Sequence, residues 1–136
     1  MGSDIKKTVE KGTVMRALVI DDSRATRRLI GDILREIGYE VTEAGNGLEG
    51  LERLEQLGKP NVVLVDWNMP EMNGLEFIKA VRSTKSNRDL PLIMVTTETE
   101  MERMALAFMA GVNEYIMKPF DRIMIQEKLA MLGVGV

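Results

Sequence analysis

Five short apolar segments alternate with five amphipathic segments along this chain of 136 residues. Continuous apolar runs rich in Val, Ile, Leu and Met are typical of strands buried on both faces of a sheet. The apolar segments lie at about residues 15–20, 40–44, 61–66, 91–95 and 113–117. Helical periodicity predicts helices between and after them, at about residues 23–37, 46–57, 74–83, 98–110 and 121–132. Strand–helix alternation predicts an α/β fold with a parallel sheet, because right-handed crossovers place helices on both faces.

The chain length suits one domain, and a hydrophobic content of 45% is sufficient for one core. Residues 1 to about 13 are polar and lysine-rich and lack sustained periodicity. We therefore expect a flexible N-terminal tail over residues 1–13 and a single folded domain over residues 14–136.

Composition excludes several classes of function. The chain has no cysteine and no histidine, which excludes disulfides, thiol chemistry, histidine-based acid–base catalysis and most zinc sites. A net charge of -3 gives no electrostatic footprint for nucleic acid. No apolar run approaches the roughly 18 residues of a membrane span, and the start has no apolar signal core. The expectation is a soluble cytoplasmic protein without a membrane span.

Polar side chains stand where the predicted strands end. Asp21 and Asp22 follow the first apolar run, Asp66 the third, Thr96 the fourth and Lys118 the fifth. In an open parallel sheet, ligands bind just beyond the carboxyl ends of the strands. The pattern therefore predicts a functional site that combines three acids, a hydroxyl and an ammonium at one edge of one sheet.

Three carboxylates in a small volume favour a cation, because their mutual repulsion raises the cost of ionising all of them. Mg²⁺ prefers one or two carboxylates together with water and phosphate oxygens. An Asp at the end of a buried strand can also accept a phosphoryl group. Each residue alone has a structural alternative. Asp21 and Asp22 suit a helix N-terminus, Asp66 could be a polar stop before a turn, and Lys118 could be an ordinary exposed lysine.

Together these residues resemble the CheY-like receiver domains of two-component response regulators. The resemblance covers about residues 14–134 and depends most on segments 66–70 and 115–120. One position departs from the family pattern, since Asn73 stands where many members carry Asp, but Asn also caps helices. The resemblance implies a doubly wound five-stranded sheet in the flavodoxin-like order 2-1-3-4-5. The family spacing is matched without a gap between Asp22, Asp66, Thr96 and Lys118.

The resemblance also implies a phosphorylation site with bound Mg²⁺. Asp66 would be the phosphoacceptor. Asp22, Asp66 and the backbone carbonyl of Asn68 would ligate the metal, with Asp21 acting mainly through a water. Such a protein catalyses only its own phosphorylation and dephosphorylation, which need positioning and charge neutralisation more than covalent chemistry from the protein.

The remaining roles concern the bound phosphoryl group and the response to it. Thr96 and Lys118 would contact its oxygens, and Tyr115 would be a switch aromatic that turns inward with Thr96. Asn68 and Glu98 would set the phosphoryl lifetime, although Glu98 could instead simply start the fourth helix. The resemblance further implies a cis Lys118–Pro119 bond. It places a partner-binding surface around Met101, Met104, Phe108, Met117 and Lys128.

The function implied is that of a stand-alone receiver. It would accept phosphoryl from a sensor histidine kinase or a phosphotransfer protein and act on a downstream protein target. One alternative is a Mg²⁺-dependent phosphatase of the haloacid-dehalogenase type, which usually has a second Asp two residues after the nucleophile, where this chain has Asn68. Another is a flavodoxin, which would need a phosphate-binding loop rich in Ser, Thr and Gly after the first strand. This chain has the segment Asp21-Asp22-Ser23-Arg24 there, and its acids would repel a flavin phosphate.

Overall fold

A five-stranded parallel sheet forms the centre of the protein. The computed structural model describes residues 14–135, so the predicted tail over residues 1–13 lies outside the described residues. The strand order is β2-β1-β3-β4-β5, as the family resemblance implied. The strands are β1 (Arg16–Ile20), β2 (Glu40–Ala44), β3 (Val62–Val65), β4 (Leu92–Thr96) and β5 (Glu114–Met117).

Within residues 14–135, five α-helices connect and follow the strands, and they pack on both faces of the sheet. One core contains Ile30 and Leu34 of the first helix with Ile125 and Leu129 of the last. The other core is built on Phe77 and the remaining three helices. The central strands β1, β3 and β4 are buried almost throughout because both faces of the sheet are covered, whereas the edge strands β2 and β5 are only partly buried. The helices are α1 (Arg24–Ile37), α2 (Gly47–Leu57), α3 (Gly74–Ser83), α4 (Met101–Ala110) and α5 (Arg122–Met131).

Two helix starts shape the loops beside the sheet edge. Ser23 caps α1 by accepting from the Thr26 N–H at 3.2 Å. Asn73 forms a capping box with Glu76 at the start of α3, so the departure from the family pattern preserves the cap. A Cβ at Gly74 would overlap the carbonyl oxygen of Asp66, and only glycine lets α3 begin this close to the end of β3.

The start of the fourth helix was predicted wrongly. The pattern indicated a helix from residue 98, but α4 begins at Met101. The backbone of Glu98 has other partners: its N–H donates to Thr96 Oγ1 at 3.3 Å, and its carbonyl accepts from the Tyr115 hydroxyl at 2.7 Å. These bonds keep Glu98 in the loop after β4, so it does not start the helix.

Two further features agree with expectation. The Lys118–Pro119 peptide bond is cis. Among the helices of residues 14–135, none is both long enough and apolar enough to cross a bilayer.

Candidate functional site

Three strand ends bring Asp21, Asp66 and Lys118 into contact. Strands β1 and β3 are direct neighbours, so Asp21 and Asp66 lie side by side at the carboxyl edge of the sheet. The ammonium of Lys118 comes from β5 and reaches both, at 2.9 Å from Asp21 Oδ2 and 3.3 Å from Asp66 Oδ2. The structure thus brings together three of the side chains that follow the predicted strands.

The acidic residues form a cluster that could hold a divalent metal. Asp21, Asp22 and Asp66 each offer a carboxylate oxygen within 4.8 Å of the others. Asp21 and Asp66 are buried, whereas Asp22 is exposed. Carboxylate oxygens are the hard ligands that Mg²⁺ prefers, and the exposed side of the cluster leaves room for the several waters that this ion keeps. The donor set therefore fits the expected ion.

Electrostatics explain why a cation would be favourable here. Burial raises the pKa of the Asp66 carboxyl above its ordinary value and the charge of Asp21 adds to this, while Lys118 and the Trp67 N–H oppose it. Burial alone would lower the pKa of Lys118, but its contacts with Asp21 and Asp66 raise it overall. One ammonium is thus shared by two buried acids, and negative charge remains in excess.

The proposed switch residues are joined through the backbone of Glu98. Thr96 and Tyr115 are both buried, and both bond the main chain of Glu98. Burial raises the pKa of Tyr115 to about 12, with the charge of Glu98 contributing, so the phenol remains a donor at neutral pH. Its ring lies 6.3 Å from that of Phe108, centroid to centroid. The Glu98 main chain therefore links the threonine at the end of β4 to the tyrosine in β5.

Asn68 and Glu98 meet across the mouth of the site. Asn68 Nδ2 donates to Glu98 Oε2 at 3.1 Å. The sequence pattern indicated a loop at Asn68 and the start of a helix at Glu98, and the structure brings the two side chains into direct contact. Both present polar groups, and neither screens the Asp66 carboxylate with a bulky apolar side chain.

Two arginines contact the site without having been predicted. The guanidinium of Arg103 lies 5.3 Å from the Trp67 ring centroid, and its Nε lies 3.8 Å from Glu98 Oε1. Arg27 donates through Nη1 to the carbonyl oxygen of Asp21 at 2.6 Å. Both contacts depend on how a helix packs against a neighbouring loop. No local spacing in the sequence signals them.

A family model for the response regulator receiver domain matches residues 17–130. The chain belongs to this family. It is 45% identical over 119 residues to the chemotaxis protein CheY1 of Helicobacter pylori, covering 87% of this chain and 96% of that protein. It is 46% identical over 123 residues to the chemotaxis protein CheY homolog of Campylobacter jejuni subsp. jejuni, covering 89% of this chain and 95% of that protein.

The fold gives the same result. The high-resolution structure of chemotaxis protein CheY4 from Vibrio cholerae has a TM-score of 0.82 and 34% identity to this chain. The match covers 88% of this receiver and 98% of that chain. Receivers of this type are signalling proteins rather than classical enzymes, and the family membership supports a role in a phosphorelay. The phosphatase alternative is not favoured, and Asn68 offers an amide where that reaction needs an acid.

Proposed function

We propose that this receiver is a phosphorylation switch in which Asp66 accepts a phosphoryl group from the phosphohistidine of a partner kinase or phosphotransfer protein. The observation that carries the proposal is the convergence of Asp21, Asp22, Asp66 and Lys118 at one sheet edge. The names of its relatives suggest chemotaxis as the process.

The transfer step follows from the chemistry of the edge. One carboxylate oxygen of Asp66 forms a bond to phosphorus, and the phosphorus–nitrogen bond breaks with its electron pair returning to the donor imidazole. Asp22, Asp66 and the Asn68 carbonyl would hold Mg²⁺, with Asp21 reached through a water. Bound there, Mg²⁺ would supply positive charge to the phosphoryl oxygens. Lys118 would move from sharing two carboxylates to pairing with one phosphoryl oxygen.

Labelling of Asp66 tests the proposal. With acetyl phosphate and Mg²⁺, intact mass should show one phosphoryl adduct that is sensitive to hydroxylamine. Asp66→Asn should remove the adduct. Asp89→Asn is the matched control, because Asp89 is an exposed aspartate that pairs with Lys59 and is not part of the acidic cluster. Equal labelling of wild type and Asp66→Asn would contradict the assignment.

The phosphoryl group should be short-lived because polar side chains lie where the attacking water would approach the phosphorus. A water oxygen attacks phosphorus, the bond to Asp66 breaks, and its electron pair returns to the carboxylate. Inorganic phosphate and one proton leave. Asn68 and Glu98 can both hydrogen-bond that water. Replacing them together, Asn68→Met with Glu98→Leu, should slow decay by about tenfold or more while labelling persists. An unchanged decay rate would refute this role.

The switch would act through Thr96 and Tyr115 on the surface beside them. Thr96 would turn toward the phosphoryl group, and Tyr115 would respond through the shared loop. Met101, Met117 and Phe108 expose 84%, 42% and 44% of their surface and offer an apolar contact for a downstream protein. The exposure of these three side chains would change when Tyr115 moves.

Fluorine NMR of protein containing fluorotyrosine can follow that response. Beryllofluoride with Mg²⁺ should shift the Tyr115 resonance. Tyr39 is an internal control, because its hydroxyl bonds the Val134 carbonyl in the core on the opposite face of the sheet. A Tyr115 signal that does not respond would refute the switch role while leaving the phosphorylation site intact.

A further inference from the structure

Arg27 connects the acidic loop to the edge strand of the sheet. Its Nη1 donates to the backbone carbonyl of Asp21 at 2.6 Å, and its Nε donates to Glu43 Oε1 of β2 at 3.0 Å. The side chain is only 17% exposed. Charge-assisted hydrogen bonds from a planar guanidinium hold their partners in a defined direction. The Asp21 carbonyl is therefore fixed relative to β2.

Glu43 is itself held from a second side. Its other oxygen, Oε2, lies 3.2 Å from Nη2 of Arg35, and Arg35 also pairs with Asp32 at 3.1 Å. Arg27, Glu43 and Arg35 thus form a chain of alternating charge along α1 and β2. Glu43 offsets much of the charge of Arg27, so the guanidinium acts on the acidic loop mainly through its hydrogen bond.

The carbonyl that Arg27 holds belongs to the peptide group joining Asp21 to Asp22. The other groups of Asp21 are also held: its N–H donates to the Ala44 carbonyl at 3.1 Å, and its carboxylate accepts from Ser23 at 2.8 Å and Lys118 at 2.9 Å. Rotation of this one peptide plane would redirect the chain at Asp22. Arg27 is the side chain that fixes the plane.

We propose that Arg27 is a positioning residue for the divalent-metal site, because it orients the Asp21–Asp22 peptide so that the Asp22 carboxylate converges on Asp66. The inference rests on the proposed function, in which Asp22 is a metal ligand. It is separable from simple charge effects. Removing a cation near an acidic site should strengthen Mg²⁺ binding if charge alone matters, whereas loss of positioning should weaken it.

The test is a Mg²⁺ titration followed by the fluorescence of Trp67, the single tryptophan, which adjoins Asp66. Arg27→Met should raise the Kd for Mg²⁺ about tenfold, the usual effect of removing an outer-shell partner. Arg27→Gln keeps a donor for the carbonyl without the charge, and it should recover part of the affinity. Arg28→Met is the matched control, since Arg28 is an exposed arginine one position further along α1. It should leave the Kd within about twofold of wild type.

Equal or tighter Mg²⁺ binding by Arg27→Met would overturn the inference, as would an equal loss of affinity in Arg28→Met. Circular dichroism checks the fold of each variant. If Arg27→Met does not fold, Arg27→Lys decides instead: the charge is kept, the fork is lost, and a Kd about threefold higher is expected. An unchanged Kd would then overturn the inference.

Asp22→Asn separates this result from the proposed function. If Asp22→Asn weakens Mg²⁺ binding while the Arg27 variants do not, only the role of Arg27 fails. If Asp22→Asn leaves the Kd unchanged, the metal site itself is misassigned, and the inference about Arg27 is overturned with it.

Discussion

The two edges of the sheet differ in the partners of their charged side chains. At the carboxyl edge, Asp21 and Asp66 are buried side by side and share the ammonium of Lys118. At the amino edge, arginines bind backbone carbonyls. Arg16 donates to the carbonyls of residues 57 and 59 at 2.7 and 3.0 Å. Arg82 donates to the carbonyls of residues 111 and 87 at 2.9 and 2.7 Å.

The comparison indicates which edge stabilises the fold and which carries the chemistry. Arginine bonds to carbonyl oxygens satisfy groups that would otherwise be costly to bury. Buried like charges have the reverse effect, since each raises the cost of ionising the other. The carboxyl edge is therefore expected to destabilise the metal-free protein, and the amino edge to offset that cost. Three predictions test this division.

The largest effect should come from the amino edge. Arg82→Ala removes bonds to Gly111, Asn87 and, at 2.9 Å, Asn113 Oδ1, and it should lower the free energy of unfolding by about 2–4 kcal/mol. Urea unfolding measures this. Arg88→Ala, at an exposed site nearby, should cost less than about 0.5 kcal/mol. Phosphoryl labelling should persist in both variants. A loss of less than about 0.5 kcal/mol for Arg82→Ala would contradict the proposed role of the amino edge.

The second effect is the response of the carboxyl edge to metal. Because Mg²⁺ would bind the folded state only, a concentration ten times the Kd should raise the free energy of unfolding by about 1.4 kcal/mol. The melting temperature with and without Mg²⁺ measures the gain. Asp22→Asn should lose most of it, whereas Arg82→Ala should keep all of it. A wild type that does not respond would count against a metal site at this edge.

The smallest effect concerns one buried charge. Burial and Asp21 raise the pKa of Asp66, so the folded protein holds the Asp66 proton more tightly than the unfolded chain does. The resulting stabilisation is complete below the ordinary pKa of about 4 and is lost as pH rises through the raised value. Without Mg²⁺ at pH 7, Asp66→Asn should therefore stabilise the protein by about 1 kcal/mol.

The pH dependence supplies the control for that substitution. The advantage of Asp66→Asn should shrink as pH falls toward 4, where Asp66 takes up its proton in both states. Asp89→Asn, at an exposed site, should show no such gain at either pH. If Asp66→Asn is destabilising at pH 7 without metal, the buried charge of Asp66 does not destabilise the folded protein. The role given to the carboxyl edge would then be contradicted.

Much of the site was predictable because the apolar runs end where the strands end. The second run, residues 40–44, coincides with β2, and the others lie within one or two residues of their strands. A polar residue that directly follows a buried strand must emerge at the carboxyl edge. Asp66 and Lys118 could therefore be assigned to one site from sequence alone. The start of α4 could not, because it depends on the long-range bond from Tyr115 to Glu98.

By itself, the sequence determined the α/β class, the strand and helix order along the chain, and the edge at which the acids and Lys118 meet. These follow from local periodicity and from which residue ends each run. The alternation alone does not choose a strand order, so the order 2-1-3-4-5 came from the family resemblance and is confirmed by the pairing of strands. Only the tertiary structure decided that Arg27 holds the Asp21 carbonyl and that Asn68 touches Glu98. The physical reason is that such contacts depend on how separate elements pack, which no local pattern encodes.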